Sequence, residues 1–477
     1  MSRLSLSRAL LLAAAAALVA GSAAAQQATA SRPAASEDGP SLASPRHAAA
    51  QQAGARALHL CTGLFASEMP RDLVDRTASA AARGLRTEID ERGKTVSVHY
   101  RDDMPPRLAV WRPLLGCTQL PIGATTALGA ALPRPAAAVI TPKLDDRPWP
   151  MGDRDAVRAL PAPRQAAVEK VIDEAFRNQD GAYRGNTWGV VVVKNGKIVA
   201  ERYQNGFGPH IAARTNSMCK SIAGSLVGLG VQKRLLDIHR KAPLNAWRRP
   251  GDPRGEITLD HLMHMASGLY TEAGGNPQAD LYQSGAAAAE VSALNMVDAR
   301  PGSRFVYAGS DTILLVRALR QAVNNDTAFM TYPHRELLWK LGMTRTTMET
   351  DWNNDFLASG QCWSTARDFG RFGLLYLADG VWAGERLLPA GWGKYVSTPA
   401  PAQPPGAAAG GARYGGQFWI YGGNDGLAAD AYSPGGALGQ YAMIVPSKGV
   451  VVVRRGLDVG GGFRIAKFSA DIIAALE

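Results

Sequence analysis

The run "WGVVVVKNGKIVAERY", residues 188–203, constrains this chain more than any other stretch. Two strand-like segments flank Asn195-Gly196, the pair that a two-residue hairpin turn favours because both central residues need positive φ. The two segments are therefore expected as neighbouring antiparallel strands. A second pair, "QYAMIVPSKGVVVVRRG", surrounds a Pro- and Gly-containing turn near the other end of the chain. Between and around them lie helical patterns: "RQAAVEKVIDEAF", "ITLDHLMHMASGL" with Thr258 as N-cap, "TARDFGRFGLLYLADG" with a Gly stop, and a last helix from about Phe463 to Leu476. Strands at both ends with helices between them predict an α/β (α+β) fold, an antiparallel sheet flanked by helices with a helical subdomain inserted in sequence.

This pattern occupies 165–477 and leaves a long N-terminal part. Arg3 and Arg8 precede the apolar run "ALLLAAAAALVA", too short to span a bilayer, and "SAAAQQ" offers a cleavage site after Ala25. Residues 1–25 are read as a signal peptide and 26–55, rich in Ala, Gln, Ser and Pro, as a flexible lead-in. Residues 56–130 form a small α+β unit, with "RALHLCTGLFA" helical and "KTVSVHYR" and "RLAVWR" extended. Residues 131–164 carry repeated prolines and read as a linker. No later stretch is long and apolar enough for a transmembrane segment, so the mature protein is expected to be soluble and exported, periplasmic or secreted.

Export bears on the cysteines, of which there are four. Cys61 and Cys117 both lie in the small unit, and in an oxidising compartment they are expected to pair. That loop closure would stabilise the fold by roughly 4 kcal/mol in the chain-entropy model. No two cysteines have zinc-ligand spacing, and His261 and His264 lack an acidic partner at metal spacing, so neither a metal nor a cofactor is expected. The net charge of +11 is carried mostly by arginine and is scattered, apart from "HRKAPLNAWRRPGDPRG" at 239–255. With no aromatic–basic interleaving and no nucleic-acid motif, it reads as a solvated surface, with no nucleic-acid partner. Nothing in the chain sets the oligomeric state.

The chemistry is concentrated in "RTNSMCKSIAG", residues 214–224, which opens an apolar helix. Ser217 and Lys220 stand at i and i+3 and share a helix face. A serine hydroxyl is a weak nucleophile until a base takes its proton, and a desolvated lysine among other donors can be that base. The helix start also leaves backbone N–H groups free, so the N–H of Ser217 can help to hold a developing oxyanion.

S-x-x-K is the nucleophile motif of penicillin-binding proteins and serine β-lactamases. Here it is accompanied, in order, by "ITLDHLMHMASGL", "FVYAGSDTILL", "LGMTRTTMETD", "WSTARDFGRFGLLYL" and "GGALGQYAMIVP". The chain resembles the class C β-lactamase-related serine hydrolases over about 165–477, and within them most the esterase and nylon-oligomer (6-aminohexanoate-dimer) hydrolase branch. The resemblance implies a β-lactamase/transpeptidase-like fold. It implies that Tyr307, matching the tyrosine of Y-x-N, works with Lys220 as general base and then protonates the leaving group. Ser433-Pro434-Gly435 takes the place of the K-T-G or H-T-G element, with Ser433, Gly435 and Gly309 lining the substrate cleft and Gly436 supplying the second oxyanion N–H. Two departures stand out: the Asn of Y-x-N is Gly309, and the Lys or His of the third element is Ser433. Those groups grip β-lactams and peptidoglycan stems, so an ester or linear amide is the expected small-molecule substrate, cleaved through an acyl-enzyme on Ser217. The alternatives are a β-lactamase or D-Ala-D-Ala carboxypeptidase on the same machinery, or a non-catalytic cell-envelope binding protein. An α/β-hydrolase is disfavoured because "GSLVG" at 224–228 lacks the G-x-S-x-G spacing.

In this family the helix after Cys362 packs near the catalytic helix that holds Cys219. Two spare cysteines in an exported protein pair more often than they stay free, which makes Cys219–Cys362 a candidate second bridge and leaves open whether it forms. The other reading makes Cys219 a small buried hydrophobe. Arg367, Asp368 and Arg371 are read as solvated or supporting pairs on an amphipathic helix, not as catalytic acids.

Overall fold

The computed structural model describes residues 45–78, 82–271, 281–407, 411–459 and 462–477. The signal peptide read at 1–25, and the lead-in up to residue 44, lie outside these residues. The remainder of the lead-in is not flexible: helix α1 (Pro45–Phe65) already begins there. Its low hydrophobicity misleads, because Ala50, Ala53, Gly54 and Ala57 are all buried, and small side chains let a helix backbone lie close on a sheet. That sheet runs in the order β1 (Thr87–Asp90), β2 (Thr95–Val98), β3 (Arg107–Arg112) and β4 (Gly116–Gln119), antiparallel throughout. Cys61 of α1 is bonded to Cys117 of β4, with the Cα atoms 6.0 Å apart. Residues 132–161 then cross to the larger part of the molecule. Trp149 anchors this crossing in the main core, where its Nε1 donates to Gly196 O at 2.9 Å.

The larger part starts with helix α2 (Ala162–Phe176), followed by β5 (Thr187–Lys194) and β6 (Lys197–Tyr203). Asn195 and Gly196 take φ of 48° and 81°, the left-handed geometry that the Asn-Gly turn requires. Next come β7 (Ala213–Arg214), α3 (Met218–Gln232), α4 (Gly309–Val323), β8 (Thr347–Met348), β9 (Cys362–Ser364) and α5 (Ala366–Leu377). The chain closes with β10 (Arg413–Tyr414), β11 (Trp419–Ile420), β12 (Tyr432–Ser433), β13 (Gly435–Gly436), β14 (Gln440–Val445), β15 (Val450–Gly456) and α6 (Ile465–Leu476). Among the described residues, eight strands form one antiparallel sheet in the order β10–β11–β12–β14–β15–β5–β6, with β13 paired to β14.

Alternation along the central strands divides two cores. Val190, Val192, Met443, Val450 and Val452 pack with α2 and α6 on one face. Val191, Val193, Ile444, Val451 and Val453 pack with α3, α4 and α5 on the other. Burying each of these side chains stabilises the fold by about 1.5–3 kcal/mol. Both faces are covered, which is why the valine runs do not alternate with polar residues. A small sheet, β7–β9–β8, stands beside the start of α3. No helix among the described residues is long and apolar enough to cross a membrane.

Helix α5 takes the second of its two expected forms, with its charges in supporting pairs. Arg367, Asp368 and Arg371 are buried rather than solvated. Arg371 donates to Asp368 (3.0 Å) and Asp153 (2.7 Å), and Arg367 to Glu201. Burial raises the Asp368 carboxyl above its usual range, with the Arg371 guanidinium opposing the shift. The cause is tertiary: the 145–154 crossing covers the face of α5 that the charge pattern assigns to water, and Asp153 and the carbonyl of Pro150 meet its arginines.

Candidate active site

The residues before α3 are held on both sides. Thr215 N donates to Cys362 O at 2.8 Å, and the Asn216 side-chain amide donates to Ala437 O at 2.8 Å. Asn216 has φ of 47°, a left-handed conformation that asparagine tolerates better than most residues. This sharp entry places Ser217 at the N-terminal boundary of α3, where it is 5 % exposed. From Met218 to Gly230 every residue of the helix is buried.

Lys220 follows one turn later, 2 % exposed. Its Nζ donates to Ser217 Oγ at 2.8 Å and to the carbonyl of Ser359 at 2.8 Å. Tyr307 completes the group: Lys220 Nζ lies 4.6 Å from the centre of its ring, which also packs on Tyr414 and Trp419. Tyr307 sits in an irregular stretch pinned by Val306 N to Met265 O (2.9 Å), and Gly309 is the first residue of α4. Gly309 is buried in that first helical turn.

The expected third element lies alongside. Gly435 and Gly436 form β13, paired with Tyr441 and Gln440. A Cβ on Gly436 would stand 2.4 Å from Thr215 O and 3.1 Å from Met218 N, so only glycine permits this approach of strand to helix start. The arrangement puts the backbone of Gly436 beside the amide end of α3, where two N–H groups can converge on one oxygen. Ser433 is placed otherwise than the cleft position expected for it. It is fully buried, and its Oγ donates to Pro434 O (2.7 Å) and accepts from Ala442 N (3.2 Å). By accepting from Ala442 N, the serine hydroxyl ties this strand end to β14.

Two polar groups here escaped the sequence reading. Tyr282 shares a hydrogen bond between its hydroxyl and the Oγ of Ser359, the residue whose carbonyl accepts from Lys220. Asp311, in the first turn of α4, accepts from Ser267 Oγ at 2.8 Å, and burial pushes its carboxyl up to about 7. An aspartate inside the apolar run "GSDTILLV" was the available signal for Asp311; no local pattern marks Tyr282. His261, considered as a metal ligand, serves the capping box of a short helix with Thr258.

Cys219 and Cys362 form the second disulfide, Cα atoms 5.6 Å apart, joining α3 to β9. Replacing Cys362 with alanine should cost about 2–4 kcal/mol in urea unfolding and should also lower turnover, because the bridge adjoins both Ser217 and Lys220. Loss of stability with native kcat at a temperature where the variant is folded would separate the bridge from the site.

The family model described as Beta-lactamase matches residues 172–454, more than half of the chain. No curated protein sequence matches it. Among solved structures, a candidate 6-aminohexanoate-dimer hydrolase from Bacillus anthracis is similar at 22% identity, covering 70% of this chain and 84% of that one with a TM-score of 0.52. A candidate β-lactamase from Bacteroides dorei is 22% identical, covering 65% and 96% with a TM-score of 0.52. A family VIII carboxylesterase is 13% identical, covering 67% and 98% with a TM-score of 0.53. At these identities the likeness is one of fold.

Proposed function

Since the chain belongs to the β-lactamase family of serine hydrolases, we propose that it cleaves a small ester or linear amide through an acyl-enzyme on Ser217. The observation that carries this reading is the 2.8 Å contact between Lys220 Nζ and Ser217 Oγ in a buried setting. In its neutral form the amine takes the hydroxyl proton as Oγ attacks the substrate carbonyl. The N–H groups of Ser217 and Gly436 hold the oxygen that becomes negative. Collapse of the tetrahedral intermediate breaks the bond to the leaving group, which leaves with a proton delivered through Tyr307. Water then adds to the acyl-serine ester, giving up its proton to the same base, and the acid departs as Ser217 is restored.

The substrate preference follows from Gly309 and Ser433. Neither offers the amide or cationic grip that β-lactams and peptidoglycan stems receive at these positions in relatives. A panel of short-chain nitrophenyl esters, linear amides and a chromogenic cephalosporin tests this. Esters or linear amides should turn over at least about tenfold faster in kcat/KM, the loss expected for one missing charged or polar contact. Efficient cephalosporin hydrolysis with weak activity on every ester and amide would overturn it. The protein is further proposed to be exported, on the strength of residues 1–25 and supported by two disulfides. Sequencing of the mature N-terminus should begin at Gln26.

A further inference from the structure

We propose that the N-terminal unit is a working part of the catalytic site, in which Gln119 and Arg107 seat Tyr282 against Ser359 and so position Lys220. This rests on the reading of Lys220 as the base. The family model begins at residue 172, so α1 and β1–β4 lie outside the residues it matches.

The chain of contacts is continuous. Lys220 Nζ has Ser359 O as its second acceptor, and Ser359 is fully buried in the turn before β9. The hydroxyl of that serine meets the hydroxyl of Tyr282. Tyr282 belongs to a short segment, 281–285, whose backbone is held from the N-terminal unit. Gln119 Nε2 donates to Gln283 O at 2.8 Å, and Arg107 Nη2 donates to Ser284 O at 3.0 Å. Arg107 is fully buried, and its guanidinium also donates to Ala50 O and Leu120 O. One cation thus joins α1, the end of β4 and the Tyr282 segment. Burying a guanidinium against carbonyls alone is expensive for mere packing. The fit is close: a Cβ on Gly54 would stand 2.6 Å from Gln283 O, and one on Gly285 would stand 2.3 Å from Leu120 O.

The other wall of the Ser359 turn is held from the same unit. Thr62 donates to Glu349, Thr118 Oγ1 to Thr350 O (3.1 Å) and Arg112 Nη1 to Asn354 Oδ1 (2.6 Å). Ser359 is therefore gripped between two segments that both lean on the N-terminal unit. A shift of its carbonyl would move Nζ relative to Oγ, and proton transfer is steeply sensitive to such misplacement. Gln119, Arg107 and Tyr282 are positioning residues in this scheme.

The test is a double-mutant cycle in the full chain with Gln119→Leu and Tyr282→Phe, reading kcat, KM, fluorophosphonate labelling rate and urea stability. Each single variant should lower kcat and labelling rate by about tenfold, with KM changed less than about twofold. The double variant should fall no further than Tyr282→Phe, since both act through one contact. Arg71→Ala, which removes an exposed ion pair with Asp75 in the same unit, should keep native kcat. Tyr282→Phe leaves the N-terminal unit untouched and serves if Gln119→Leu fails to fold. Native kcat in folded Tyr282→Phe or Gln119→Leu, or additive losses in the double variant, would overturn the proposal. If Ser217→Ala is inactive in that case, the reading of the active site stands and only the positioning role falls; active Ser217→Ala removes both.

Discussion

Ser217→Ala should abolish fluorophosphonate labelling and lower turnover by about five to six orders of magnitude, the scale at which a hydrolase loses its serine nucleophile. The Ser217 hydroxyl is the one that Lys220 Nζ contacts at 2.8 Å, at the N-terminal boundary of a largely buried helix. The fold should be little affected, because the Ser217 side chain makes no capping hydrogen bond to α3. Unfolding in urea should therefore match the native protein while activity is lost. Undiminished ester hydrolysis by the variant would mean that the nucleophile lies elsewhere, whatever the family.

Lys220→Ala should lower kcat by about 10²–10⁴-fold, the usual contribution of general-base catalysis. Unlike the serine variant, it should also lose stability. Lys220 Nζ donates to the buried carbonyl of Ser359, and an orphaned buried acceptor costs about 1–3 kcal/mol. Lys220→Met retains much of the side-chain volume and separates the two effects: packing recovers in part, and turnover does not. Tyr307→Phe should fall in the same activity range with less effect on stability, since its ring contacts to Tyr414 and Trp419 persist. Near-native kcat in Lys220→Met would sink the lysine as base.

What could be read along the chain was what local chemistry dictates. Asn195-Gly196 defined a hairpin because only a few residues accept two positive φ angles in succession. Ser217 and Lys220 could be paired because three residues bring a helix back to the same face. Cys61 and Cys117 could be paired because the small unit offered no other partner. Where the reading failed, the deciding force acted between distant segments. Alanines and the glycine at 45–55 looked flexible because they have little to bury in isolation, yet they suit a helix pressed onto a sheet. The arginines of α5 could be read as solvated or as supporting pairs, and the 145–154 crossing decides for buried pairs. Ser433 was expected in the cleft, but its hydroxyl is spent on backbone groups of Pro434 and Ala442. The groups around Lys220 show the limit most clearly. Its second acceptor is a backbone carbonyl, a group that every residue carries, so no pattern of side chains can mark Ser359. Tyr282 reaches that residue only because Arg107 and Gln119, far earlier in the chain, hold the carbonyls beside it. Side-chain identity and short spacing are properties of the sequence; the meeting of carbonyls and hydroxyls from separate segments is decided by packing.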